Sequence, residues 1–251
     1  MRENYQHCET LVREADRDRY LASLFAPAER RPHLHALYAF DIEIERVGRV
    51  VREALAGEMR LQWWREALAG RVPDQVAAHT VASAFLDTVA QCGLPIDPLD
   101  RLIDTRTLAL YDDPLSTVDE LETHGRPTAS TIFDLAARIL DRNASVADVA
   151  GPAGVAATLV GALRGAARDP THWRIAVTPT ELAGRARELL EQARRHWQAV
   201  SSAAQPAFLS LALVSAALRR AERNPGAIDA LELAPWRRQW LLWRAARRGT
   251  F

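Results

Sequence analysis

An all-α fold is predicted by three features of the sequence. No run of alternating apolar and polar residues bounded by turn signals reads as a strand. Alanine, leucine, arginine and glutamate dominate most segments, with apolar residues recurring every three or four positions. Prolines stand at segment entries, at Pro27, Pro32, Pro179, Pro206 and Pro235, where a helix tolerates the missing N–H. No linker rich in Gly, Ser or Pro divides the chain, so residues 1–251 are read as one domain with 48% hydrophobic residues to fill its core.

The elements follow in order. A short helix is expected over Tyr5 to Ala15, and Asp16 is placed to cap the next, which carries Tyr20, Leu21, Leu24 and Phe25. Beyond Pro32 a long helix opens, in which Leu37, Phe40, Ile44, Val47 and Val51 form an apolar seam. A further helix runs to about Ala69, with Leu61, Trp64 and Leu68 on one face. One buried helix is expected from Asp74 to Gln91, and another from Pro98 to Tyr111. The helical pattern of Thr117 to Asp141 is interrupted by Gly125-Arg126-Pro127, which should kink it. Val146 to Ala167 holds Gly151, Pro152, Gly154, Gly161 and Gly165, small residues that permit close approach of a neighbouring helix or a ligand. Thr178 or Thr180 caps a helix reaching about Val200, a very apolar helix spans Ala207 to Ala221, and the chain closes on a segment rich in tryptophan and arginine.

Charge and cysteine content narrow the function. A formal net charge of zero gives no electrostatic case for a nucleic-acid partner. All 32 basic residues are arginine, which excludes a Schiff-base lysine. Cys8 and Cys92 are too few for a zinc cluster and read as reduced, structural thiols. Histidines 7, 33, 35, 79, 124, 172 and 196 show no metal-binding spacing, and no nucleophile elbow, P-loop or dinucleotide fingerprint is present. Asp112-Asp113-Pro114 reads as a turn. The N-terminus lacks the apolar stretch of a secretory signal and the acid-poor character of a transit peptide, and no run approaches a membrane span. The expected location is the bacterial cytoplasm, free or peripheral on the inner membrane.

The long helix also presents Asp41, Glu45 and Arg49, each four residues after the last. Glu45 followed by Arg49 is the favourable order for a helical ion pair, worth roughly 0.2–0.5 kcal/mol. The same residues leave two other roles open: anion binding by Arg49, or a metal site that keeps one carboxylate and gains a guanidinium.

The stretch Leu37-Tyr38-Ala39-Phe40, with DRDRYLASLFA before it and RLQWWRE at Arg60 to Glu66 after it, resembles the squalene/phytoene synthase family. Leu102 to Asp119 occupies the place of the family's next characteristic block. The resemblance implies an isoprenoid-synthase-like helical bundle, in which two aspartate motifs hold Mg2+ against a prenyl diphosphate. Glu45 then stands at the first aspartate of the first motif and Arg49 at the second. In the second motif, over Val155 to Asp169, Thr158, Gly161 and Gly165 stand at the glutamine, the asparagine and the first aspartate, while Arg164 and Asp169 survive. Mg2+ takes oxygen ligands, and these ions stabilise the departing diphosphate, so losing a carboxylate from each motif argues against prenyl transfer.

A non-catalytic subgroup, which includes mitochondrial complex I assembly factors of this family, reads similarly at AFDIEIERV, at MRLQWWR, over Ile103 to Leu140 and at the end from Pro235 to Phe251. The implied role is a scaffold that assembles or stabilises respiratory complex I, with no catalytic residue and no cofactor. Two alternatives stay open. One is an active Mg2+-dependent prenyl transferase using Asp41, Glu45 and Asp169, with Arg49 or Arg164 gripping diphosphate. The other is a protein that holds an isoprenoid lipid without turning it over. In the last segment Trp236, Trp240 and Trp243 share one helix face beside Arg237 and Arg244. That face either closes the core or meets a membrane or partner surface.

Overall fold

The computed structural model describes residues 1–51, 53–111, 115–168, 178–223 and 233–251, and among them there is no strand. The chain begins with α1 (Arg2–Ala15) and α2 (Arg17–Ser23). Asp16 ends the first and caps the second, its carboxylate accepting from the Arg19 amide at 2.9 Å. Cys8 and Val12 bury one side of α1, and both cysteines are free thiols within the core.

The helix α3 (Arg31–Val50) is the centre of the molecule. The sequence suggests a single seam, but every residue from Leu34 to Ile42 is buried, so the helix is covered on every side for more than two turns. Val51 lies beyond the helix, as its extended C-cap. Around α3 stand α4 (Ala54–Leu68), α6 (Thr80–Cys92) and α7 (Ile96–Leu108). Phe40 stacks on Phe85 of α6 at 4.1 Å between ring centroids and meets Trp64 of α4 edge-on at 5.0 Å. Between α4 and α6 the expected single helix is two, because α5 (Pro73–Ala78) stops at His79. His79 leaves helical geometry and its ring accepts from the Ala82 amide, capping α6.

The second half is built on two long helices. The expected kink follows α8 (Val118–Gly125), where residues Arg126–Ser130 form a π turn leading into α9 (Thr131–Leu140). Against this turn runs α10 (Ala147–Arg168), and along it α11 (Pro179–Arg195). Thr178 and Glu181 form a capping box at the start of α11. This helix ends at Arg195, earlier than expected, in a 3-10 turn at Trp197–Ala199. Another such turn, Gln205–Phe208, precedes α12 (Leu211–Arg223), so the apolar helix starts later than its proline. The last helix is α13 (Pro235–Arg248), which closes with glycine in the left-handed region at Gly249.

The glycines of α10 differ in purpose. A Cβ at Gly154 would lie 2.2 Å from the Ser130 amide nitrogen, so only glycine lets α10 meet the π turn backbone to backbone. Gly161 is exposed and nothing stands near its missing Cβ. Gly154→Ala should therefore lower unfolding free energy by about 3 kcal/mol. Gly161→Ala should raise it by about 0.5–1 kcal/mol through helix propensity. Urea unfolding of the two variants checks both signs.

Candidate functional site

Asp41 lies nearly three turns into α3, and its side chain is buried, with 3% of the residue exposed. An isolated carboxylate at this depth would carry a large desolvation cost. Arg19 of α2 supplies the pairing, its Nη1 donating to Asp41 Oδ2 at 2.7 Å while its Nε lies 2.9 Å from Asp16 Oδ2. Burial works against the charge of Arg19, but Asp16 and Asp41 outweigh it and its pKa is raised. On the other side Arg106 Nη2 of α7 stands 3.7 Å from Asp41 Oδ1. Arg106 Nη1 points at His124 Nε2 of α8, 3.4 Å away. Burial first, and then the Arg106 charge, push the His124 imidazole down to about 4, so it is neutral at physiological pH and accepts. Arg19, Asp41, Arg106 and His124 thus form a line of polar groups across four helices.

A second group lies beside it. Asp18 of α2 receives Arg164 Nη1 of α10 at 3.3 Å on one oxygen and Arg238 Nη1 of α13 at 3.0 Å on the other. Arg19, Asp18 and Arg164 border a cavity of about 140 Å3, closed by Tyr38, Phe133 and Val214 among others. Typical small-molecule pockets measure about 300–1,000 Å3. The space left here is that of a few water molecules, at about 30 Å3 each.

The positions singled out in the sequence do not converge. Glu45 and Arg49 share a helix face with Asp41 but not its surroundings, because α3 leaves the core as it runs toward its C-terminus. Arg49 is 67% exposed on its side chain, and its Nη2 is 3.6 Å from Glu45, the geometry of a surface ion pair. Leu110 lies beside Gly48 and packs closely on Gly57, while Gly48, Arg49 and Val50 are exposed. Among the described residues of the two aspartate motifs, Arg164 is the one that reaches the cavity. Asp169 and the Asp112-Asp113-Pro114 turn lie outside the described residues. The C-terminal tryptophans are on the surface, so the core-closing alternative does not hold for them. Arg19, Arg106, His124 and Asp18 escaped the sequence reading, since nothing local joins residues separated by 22, 65 or 220 positions. The one signal was the crowding of charge in Asp16-Arg17-Asp18-Arg19.

Mg2+, which the family implies, does not fit the described residues. It needs carboxylate oxygens free to face it. Asp16 and Asp41 are held by Arg19, Asp18 by Arg164 and Arg238, Glu45 by Arg49, and Asp104 by Arg65. Among the described residues no three acidic, histidine or cysteine side chains group as a metal site. A wider concavity of about 520 Å3 lies off this face, lined by Glu43, Arg46, Met59, Arg60 and Trp63. There burial pushes the Glu43 carboxyl up to about 7, with Arg46 working against the rise.

The line of polar groups makes two measurable predictions. Asp41→Asn leaves Arg106 without its carboxylate and should cost about 3 kcal/mol, whereas Arg49→Ala should cost less than about 0.5 kcal/mol. Chemical denaturation separates the two. His124, neutral in the fold and near 6.5 when unfolded, stabilises fully above pH 6.5 and loses its contribution as pH falls toward 4. Between pH 6.5 and 4.5 the wild type should therefore lose about 1–2 kcal/mol more than His124→Gln, which keeps an acceptor for Arg106 without titrating.

The comparisons with known proteins agree with this architecture. The squalene/phytoene synthase family model matches residues 12–179. NADH dehydrogenase (ubiquinone) complex I, assembly factor 6 is 33% identical over 138 residues in Rattus norvegicus and 32% identical over 134 residues in Homo sapiens. These matches cover 55% and 53% of this chain and 41% and 40% of the relatives, so the chain spans under half the length of those proteins. A dehydrosqualene synthase crystal structure superposes with a TM-score of 0.84 at 16% identity, covering 98% of this chain and 96% of its own. A squalene synthase from Alicyclobacillus acidocaldarius gives 0.68 at 20% identity, covering 100% and 96%. Matched over two thirds of its length by the family model, and sharing the helical architecture of these synthases throughout, the chain belongs to the squalene/phytoene synthase family.

Proposed function

We propose that this protein is a non-catalytic member of its family, a single-domain scaffold that helps to assemble or stabilise respiratory complex I. The observation that carries the non-catalytic part is the engagement of its acidic side chains by arginine. Where a prenyl synthase needs carboxylates open to metal, Asp41 and Asp18 are each flanked by two guanidiniums and Glu45 by one. An arginine cannot substitute for the ion in catalysis while its charge is consumed by the carboxylate it holds. The cavity bordered by Asp18, Arg19 and Arg164, about 140 Å3, is by itself smaller than the pockets that hold small molecules, which supports the same reading. The likeness to complex I assembly factor 6 supports the scaffold part. In this reading the protein needs no cofactor, and it works at the inner face of the membrane that houses the complex.

Pyrophosphate release from farnesyl and geranylgeranyl diphosphates, with and without Mg2+, tests the proposal beside a catalytically intact relative. The expected result is no release by this protein while the control is active. Turnover at a rate comparable to the control would overturn the reading. Arg49→Asp, which restores a carboxylate one turn from Glu45, should leave Mg2+ affinity unchanged by calorimetry, because the two positions do not face the cavity. A clear gain in affinity would show that the α3 face still forms a metal site.

A further inference from the structure

The helix α13 is mounted on the body by one side and leaves the other side bare. Leu242 and Ala245 are buried against Leu213, Ala216 and Leu209. Arg238 reaches Asp18 at 3.0 Å and also donates to the Leu233 carbonyl at 3.0 Å. Just past the helix, Trp197 Nε1 donates to the Gly249 carbonyl at 2.6 Å, and Arg194 to that of Phe251 at 3.2 Å. These contacts fix which way the helix faces.

Away from the body, Trp236, Trp240 and Trp243 are 70%, 46% and 49% exposed. Their spacing of four and three places them along one stripe about 10 Å long. Three exposed tryptophans on one helix far exceed the scattered apolar residues of an ordinary surface. The arginines beside them are equally distinctive. Pro235 to Phe251 contains five arginines and no aspartate or glutamate. Arg238 is used inward, while Arg237, Arg244, Arg247 and Arg248 are exposed and make no ion pair among the described residues. Arg244 lies 5.1 Å from the ring centroid of Trp240, and Arg247 the same distance from that of Trp243. These two guanidiniums therefore lie over the indole faces of Trp240 and Trp243.

From this juxtaposition we infer that the exposed face of α13 is a docking surface for an anionic phospholipid bilayer. Tryptophan prefers the headgroup level, where its ring is half in hydrocarbon and its N–H remains wet. Arginine beside it meets lipid phosphate and lets its stem cover apolar surface. A stripe of this length and charge lies flat at the interface and does not cross it. No helix of the described residues is long and apolar enough to span a membrane, so attachment through α13 is peripheral and reversible. Charge complementarity decides between occupants: four exposed cations with no ion pair among the described residues and no acid within the segment match a continuous anionic surface, and a protein partner would have to supply a matching acid for each. The inference is independent of whether the protein is catalytic, because α13 contributes no residue to the cavity lining given above.

Co-sedimentation of the full chain with phosphatidylcholine vesicles, with and without phosphatidylglycerol, provides the test. Tryptophan emission is followed in parallel. The expected result is binding to the anionic vesicles with a blue shift, and little binding to phosphatidylcholine alone. The triple substitution Trp236→Ala, Trp240→Ala, Trp243→Ala and the triple substitution Arg237→Gln, Arg244→Gln, Arg247→Gln should each weaken binding at least about tenfold. Both replace exposed side chains, so unchanged far-UV circular dichroism and thermal midpoints should confirm that they fold. Failure of the wild type to bind anionic vesicles overturns the inference and leaves the stripe as a protein-docking face. Wild-type affinity in either triple variant also overturns it, since simple charge attraction would survive loss of the tryptophans and simple apolar adhesion would survive loss of the arginines.

Discussion

A carboxylate inside a helical core has to be answered by positive charge, and in this protein the answer organises the molecule. Asp41 sits on the most deeply buried helix, and its partners come from α2 and α7, elements that otherwise touch different sides of α3. The pairing is therefore also a positional device. Arg19 is oriented by Asp16, which in turn caps α2, so the turn between α1 and α2 is tied to the core through three successive charges. The Arg106 end is held by a neutral imidazole, which can accept where a protonated one would repel. Such a line gains its worth from the way each member fixes the next, more than from the strength of any single pair.

The same arrangement bears on how a helical fold of this family can hold several acidic groups together without a bound cation. A site built to gather divalent cations places several acidic groups within a few ångströms, and without the cations those groups repel. Guanidiniums remove the repulsion while keeping helices apart by the breadth of a side chain. Tyr38 shows how closed this environment is: its phenol is pushed well above its usual range by burial, with Arg19 only partly countering that, so it stays protonated beside the cavity. The helices follow the course of those in a dehydrosqualene synthase, with a TM-score of 0.84, and a cavity of about 140 Å3 lies among them beside Arg19 and Arg164.

Much of the architecture was legible because helices announce themselves locally. Asp16, the Thr178 and Glu181 box, and the interruption at Gly125-Arg126-Pro127 are signals contained within four or five residues, and the chain obeys them. His79 was misread because imidazole is an uncommon cap, so a break between α5 and α6 looked like continuous helix. The exposure of the C-terminal tryptophans was undecidable from spacing, since a stripe meant for the core and a stripe meant for the outside have the same period. The site was legible only in part. The α3 face showed which residues share an angle around the helix, but not that the helix passes from interior to solvent between Asp41 and Arg49. The arginines that complete the line belong to other helices and carry no local mark.

Asp18 accepts from Arg238 across 220 positions of sequence, and the order of synthesis gives that distance a meaning. The helix bearing Asp18 leaves the ribosome well before the helix bearing Arg238. Until then the emerging chain can satisfy this carboxylate only through Arg164 or water. Closure of α13 over α2 is thus a late event by geometry alone. The face with the exposed tryptophans acquires its fixed orientation at the moment α13 meets α2.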